Sequence, residues 1–136
     1  AAHEIMMIGS SGQFIFEPDR LVIQPGDTVR FVIESSSHTA TAYHPDNRSS
    51  SPLRIPQEAP AWNSGFLSSG ESFEYTFETE GVHNYYCSPH EGAGMVGIIV
   101  VGSALDGPGM ATPQDSIPDA ARSKLTELIE WARQQS

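Results

Sequence analysis

Cys87 is the one cysteine of the 136-residue chain, and His90 and Met95 follow it closely in the run YYCSPHEGAGMVG, Tyr85 to Gly97. An unpaired cysteine leaves three options: an inert buried thiol, a reactive thiol or a metal ligand. The pattern C-x2-H-x4-M favours the last, because a glycine-containing loop lets a thiolate, an imidazole and a thioether converge from one short segment. These donors are soft to borderline. Zinc seldom takes methionine, whereas two histidines, a cysteine and a weak axial methionine suit a copper ion that changes oxidation state. A Cys-His nucleophile dyad is the enzymatic rival, but nothing orients the imidazole and Met95 would then have no role.

The set lacks a second histidine. Of the five in the chain, His83 stands four residues before Cys87 in the same predicted strand, about 13 Å away along it, and reads as a packed strand residue. His38 follows a strand ending near Glu34, which can deliver it to the rim that carries the cysteine loop. His44 is the reserve candidate and reads as a solvated loop residue.

Short strands must position these side chains. Val29, Phe31 and Ile33 alternate with Thr28, Arg30 and Glu34, as Phe73, Tyr75 and Phe77 do with Glu74, Thr76 and Glu78, so each segment has one wet and one buried face. Turn residues at Pro18-Asp19 and Pro25-Gly26-Asp27 bound further strands. Ile5 to Ile8, Val82 to Cys87 and Val96 to Val101 complete an expected antiparallel sandwich, the last as a nearly unbroken apolar run. Residues 41–65, rich in Pro, Ser and Asn, read as a long surface excursion pinned by Trp62. After a linker at 102–116, Ala121, Leu125, Leu128, Ile129 and Ala132 follow a helical period. Ser116 with Asp119 predicts a capping box, and Pro118 suits the first turn.

A net charge of −10 with seven scattered basic residues argues against nucleic acid or anionic membrane and for a basic protein partner. No apolar run approaches the roughly 20 residues of a membrane span. The start at Ala1-Ala2-His3, without methionine, fits a form left after cleavage of a leader, and hence an extracytoplasmic address. That tripeptide is also a set of nitrogens able to wrap Cu(II) or Ni(II), although such a terminus is ordinarily a frayed end.

GVHNYYCSPHEGAGMVGIIVVG resembles the copper loop of plastocyanins and of the cupredoxin family generally, and FIFEPDRLVIQPGDTVRFVIESSSHT resembles that family's N-terminal half. The resemblance implies an all-β, eight-stranded Greek-key sandwich over residues 1–102. Over residues 103–136 a linker and a C-terminal helix packed on the same domain are expected, which resembles the pseudoazurin branch more. It implies one type 1 copper held by His38, Cys87, His90 and Met95. It further implies a monomeric periplasmic carrier, not an enzyme, that shuttles one electron between redox proteins such as a c-type cytochrome or a copper oxidoreductase with a basic face. The alternative is a copper carrier or storage protein that releases its metal. Tyr86 and Ser88 flank Cys87 where multicopper enzymes of this fold place histidines, which argues against that class. By the same resemblance, Gly12, Phe14, Pro89, Gly92 and Ala93 ring His90 as an apolar docking patch, and Tyr86 is a second electron exit. Glu71, Glu74, Glu78 and Glu80 would steer a basic partner. Thr39 replaces the asparagine with which plastocyanins brace the two ligand loops, so a weaker brace is expected, although the Thr39 N–H can still reach the Cys87 sulfur.

Overall fold

The computed structural model describes residues 2–10 and 12–135. Its turns fall where proline and glycine require them, and two of them move the chain from one sheet to the other. β1 (Ala2–Ser10) and β2 (Gln13–Glu17) form a hairpin, Pro18-Asp19 leads across to β3 (Arg20–Ile23), and Gly26 brings the chain back to β4 (Asp27–Ile33). Gly26 sits at φ 93°, a left-handed conformation that glycine adopts without steric cost. One sheet is ordered β2-β1-β4-β6, with β6 at Ser72–Phe77. The other is ordered β3-β8-β7-β5, with β5 at Thr41–Ala42, β7 at Gly81–Tyr86 and β8 at Val96–Val101.

This is the expected eight-stranded sandwich, but it is not purely antiparallel. β1 pairs with β4, and β3 with β8, in parallel. The double crossing returns β4 beside β1 in β1's own direction, and residue alternation carries no information about strand direction. β1 is also longer than Ile5 to Ile8. Its polar ends are recruited by the ladders, from Ala2 against β4 and out to Ser10 against β2.

Val29, Phe31 and Ile33 of β4 turn inward as predicted, and meet Phe16, Phe77, Tyr85 and Trp62 in the main core, with Cys87 and Met95 in the same cluster. β7 and β8 are buried on both faces. Tyr85, Ile99 and Val101 face the sandwich interior, while Val82, Tyr86, Ile98 and Val100 lie in a second cluster with Ala121, Leu125, Leu128, Ile129 and Ala132 of α1 (Asp119–Arg133). That second cover explains why β8 is apolar at every position. The capping box is not formed: Pro118 occupies the N-cap, its carbonyl accepts the Arg122 N–H at 2.9 Å, and no side chain caps the helix. Ser116 stands two residues too early, because Pro118 itself, at φ −54° and ψ 149°, turns the chain into the helix.

The 41–65 excursion is not a surface loop. Tyr43, Arg54, Ile55 and Trp62 are buried. Trp62 does pin it, stacking on Phe31 at 5.8 Å and on Tyr75 at 5.5 Å between ring centroids.

His83 is the packed strand residue expected. Its Nε2 lies 3.2 Å from the Thr79 carbonyl, its ring meets Phe77 edge-on, and burial pushes its imidazole down to about 4. An unfolded chain takes up a proton near pH 6.5 that the folded chain refuses until about pH 4. Stability is therefore full above pH 6.5 and falls as pH drops through that window, by about 3 kcal/mol for this group. His83→Phe is expected to remove about one proton's worth of that slope in denaturant unfolding measured from pH 7 to pH 4; an unchanged slope would contradict it.

Candidate metal centre

Two loops meet at one end of the sandwich. After β4, the segment to His38 is fixed by paired backbone bonds to Leu67, His38 N–H to Leu67 O at 3.0 Å and the reverse at 2.9 Å. Gly9 of β1 makes room beside it: a Cβ there would stand 3.1 Å from His38 Cε1 and 3.0 Å from Phe14 Cδ1. The second loop begins where β7 ends. Cys87 is extended, a 3-10 turn spans Ser88–Ala93, and Gly94 at φ 90° reverses the chain into β8. The Cys87 N–H bonds the Met95 carbonyl at 3.0 Å, and the Met95 N–H bonds the His90 carbonyl at 3.2 Å, so the loop closes on itself.

This brings Cys87 Sγ to 3.5 Å from His38 Nδ1 and 3.4 Å from His90 Nδ1. The three donors lie within 4.8 Å of one another, the one such group of His, Cys, Asp or Glu among the described residues. Metal bonds of roughly 2.0 to 2.3 Å subtend edges near 3.5 Å at angles of about 105–110°, so a single ion fits between them. His38 Nε2 lies 2.7 Å from the Ser35 carbonyl. A carbonyl only accepts, so Nε2 carries the proton and Nδ1 keeps its lone pair for a metal. His90 is half-buried, with its ring stacked on Phe14 at 4.0 Å and 11°.

Thr39 holds the two loops together. Its N–H points to Cys87 Sγ at 3.4 Å, its Oγ1 accepts the Ser88 N–H at 2.8 Å, and its hydroxyl lies 2.9 Å from that of Thr41, which bonds Asn63 Oδ1 at 3.0 Å. The shorter side chain still bridges the two ligand loops, and Thr41 and Asn63 hold its hydroxyl in place.

The family profile described as copper binding proteins, plastocyanin/azurin family, matches residues 3–102. The chain belongs to this family. A pseudoazurin of Paracoccus pantotrophus is 33% identical over 92% of this chain and 79% of its own length. A plastocyanin of Scenedesmus fuscus is 34% identical over 67% of this chain and 90% of its own. The structure of a pseudoazurin from Sinorhizobium aligns over 99% of this chain and 97% of that one, with 26% identity and a TM-score of 0.73. The likeness to pseudoazurin therefore runs through the C-terminal helix, beyond the stretch matched by the family profile.

In this cupredoxin, then, His38, Cys87 and His90 can hold one copper. Met95 is fully buried in the same core cluster as Cys87. His44 lies outside the group, its Nδ1 accepting the Asp46 N–H at 2.9 Å. His3 bonds Asp27 at 3.1 Å, while Ala1 of the Ala1-Ala2-His3 set falls outside the described residues. Gly12, Pro89, Gly92 and Ala93 are exposed and Phe14 half-exposed. Tyr86 is different: it is 2% exposed, covered by the Arg48 guanidinium 4.6 Å from its ring centroid and by Tyr43 at 4.5 Å. The folded-back excursion covers this ring. Phe66, 71% exposed and next to the Leu67 that pairs with His38, is an apolar surface residue that the sequence did not single out, since it lies in a segment without period.

Without metal, burial pushes the Cys87 thiol up and the His38 and His90 imidazoles down. At pH 7 the free site therefore holds a protonated thiol and two neutral imidazoles. Uptake of Cu(II) is expected to release close to one proton, and affinity to fall about tenfold per unit as pH is lowered from 7. Calorimetry in two buffers of different ionisation enthalpy measures the count; a value near zero would mean the thiol is already ionised.

Proposed function

We propose that this cupredoxin is a small one-electron carrier between redox proteins. His38, Cys87, His90 and Met95 would together hold one type 1 copper, with the Met95 thioether as its weakest donor. The observation that carries the reading is the pre-assembled donor set, in which Ser35 O fixes the tautomer of His38 and the Thr39 N–H steadies the Cys87 sulfur. Bound copper supplies a Cu(II)/Cu(I) couple whose charge spreads onto the thiolate. The residues do the rest. Fixed loops would keep the ligands still between oxidation states, the buried His38 and Cys87 give no substrate a way in, and of the four residues His90 alone is partly exposed. Gly12, Phe14, Pro89, Gly92 and Ala93, with Phe66, form a small apolar rim suited to a brief encounter. The partner is a basic protein, a c-type cytochrome or a copper oxidoreductase, and the chain works as a monomer outside the cytoplasm. No helix of the described residues is long and apolar enough to cross a membrane.

Adding Cu(II) to the metal-free protein tests the reading. An intense visible thiolate-to-copper band and a reversible one-electron potential are expected; a colourless complex that exchanges its metal readily would instead support a copper carrier or storage protein. Glu71, Glu74, Glu78 and Glu80 are exposed, so the rate of reduction by a basic cytochrome is expected to drop about tenfold between about 0.01 M and 0.2 M salt. A rate independent of ionic strength would rule out steering by these carboxylates.

A further inference from the structure

Glu91 follows His90 in the copper loop, yet its side chain is buried, at 5% exposure. Tyr43 Oη donates to Oε2 at 2.6 Å, while Arg48 donates from Nη1 to Oε1 at 2.9 Å and from Nη2 to Oε2 at 3.3 Å. Arg48 also lies over the Tyr86 ring, and Tyr43 packs against that ring. Tyr43 and Arg48 both belong to the excursion. Glu91 and Tyr86 are the chain neighbours of His90 and Cys87. Each contact therefore ties the excursion to a residue adjacent to a donor of the metal centre.

A buried carboxylate is costly unless paired, and an apolar side chain of similar size fills such a place at no desolvation cost. What an ion pair adds is geometry: two parallel N–H donors from a planar guanidinium fix the orientation of the carboxylate as well as its distance. The loop's own backbone bonds, His90 N–H to Cys87 O at 3.1 Å and Gly94 N–H to Glu91 O at 2.9 Å, shape the turn but do not anchor it to the body of the protein. Phe14 holds the His90 ring, and the Tyr43–Arg48–Glu91 group holds the backbone that carries it.

We propose that Tyr43, Arg48 and Glu91 are a clamp that sets the position of His90 against Cys87. They are positioning residues for the metal centre, and the proposal rests on the copper reading above.

The test compares the parent with Tyr43→Phe, which removes a single hydroxyl, and with the double variant Arg48→Met/Glu91→Met, which removes both charges together and so strands neither in the interior. In the metal-free protein, hydrogen exchange at the His90 and Gly94 amides is expected to quicken at least tenfold in the double variant and less in Tyr43→Phe, while amides of β4 and β8 keep their protection. In the copper-loaded protein, the metal is expected to leave about 10–100-fold faster, with a changed thiolate-to-copper absorption. Unchanged loop exchange, or a loss of protection spread evenly over both sheets, would overturn the clamp. Local loosening with parental copper release and absorption would overturn its positioning role. A parent protein that binds copper without a thiolate band would sink the copper reading instead, while the exchange data would still decide whether the clamp exists.

Discussion

Cys87→Ser is expected to abolish the visible absorption of the copper-loaded protein and to weaken copper binding by more than about 100-fold. Positions outside the ligand set already change metal affinity 10–100-fold when altered, and Cys87 is the donor on which the site converges. Both Nδ1 atoms lie within 3.5 Å of its sulfur. A serine hydroxyl is harder, and it does not ionise near neutral pH, so the variant offers copper two imidazoles and a neutral oxygen in place of a thiolate. The change is nearly isosteric and keeps an acceptor for the Thr39 N–H, so the fold should survive it. His44→Ala is the control: that ring stands outside the donor group and its removal should leave the colour intact. Absorbance titration of both variants with Cu(II) gives the answer. A coloured Cys87→Ser protein, or a colourless His44→Ala protein, would break the ligand assignment.

The donor set was legible because its chemistry is written in residue types. Cys87 and His90 share one loop, and His38 follows an alternating strand whose end had to meet a loop rim. The sandwich was legible for a related reason, since turns at Pro18 and Pro25-Gly26 and alternation in β4 and β6 act over a few residues. Strand direction was not legible, because parallel pairing of β1 with β4 depends on where the chain crosses between sheets. The excursion was misread as exposed for want of a period. It is held by single long-range contacts, Trp62 on Phe31 and Arg48 on Glu91, which leave no repeat in the sequence. The burial of Tyr86 follows from the same fact: its side chain turns to the face of β7 away from the main core, and what lies over that face came from other segments.

Thr39 shows how local and distant information combine. Read alone, it is a shorter side chain than the asparagine that the resemblance to plastocyanins implies there, and a looser site is expected. Its hydroxyl does reach the Ser88 N–H, because the chain through Thr41 to Asn63 orients it. Asn63 lies near the far end of the excursion, so the brace between ligand loops depends on the excursion being folded back. The same segment thus supports the metal centre twice, through Asn63 behind His38 and through Arg48 behind His90.

Arg54→Met is expected to lower the melting temperature by about 10 °C while leaving the visible absorption of the copper-loaded protein unchanged. Arg54 is fully buried, and its acceptors are all neutral: Asn84 Oδ1 at 2.7 Å, Gln114 Oε1 at 3.1 Å, and the carbonyls of Ala111 at 2.8 Å and Gly109 at 3.4 Å. Burial pulls its guanidinium down to about 10, so it is still charged at neutral pH. One side chain thereby joins the excursion, β7 and the linker that leads to α1. Methionine fills most of the volume but satisfies none of these oxygens, and each buried acceptor left unpaired costs about 1–3 kcal/mol. A total of about 3–5 kcal/mol, at roughly 2–4 °C per kcal/mol for a chain near this size, gives the expected shift. Asn84 has the parity of Val82 and Tyr86, opposite to that of Cys87, so the loss falls on the helix-covered face and the thiolate stays where it is. A melting temperature within about 2 °C of the parent would mean that the linker carbonyls find water instead, and that α1 is held by its apolar face and its ion pairs to Asp19 and Arg20.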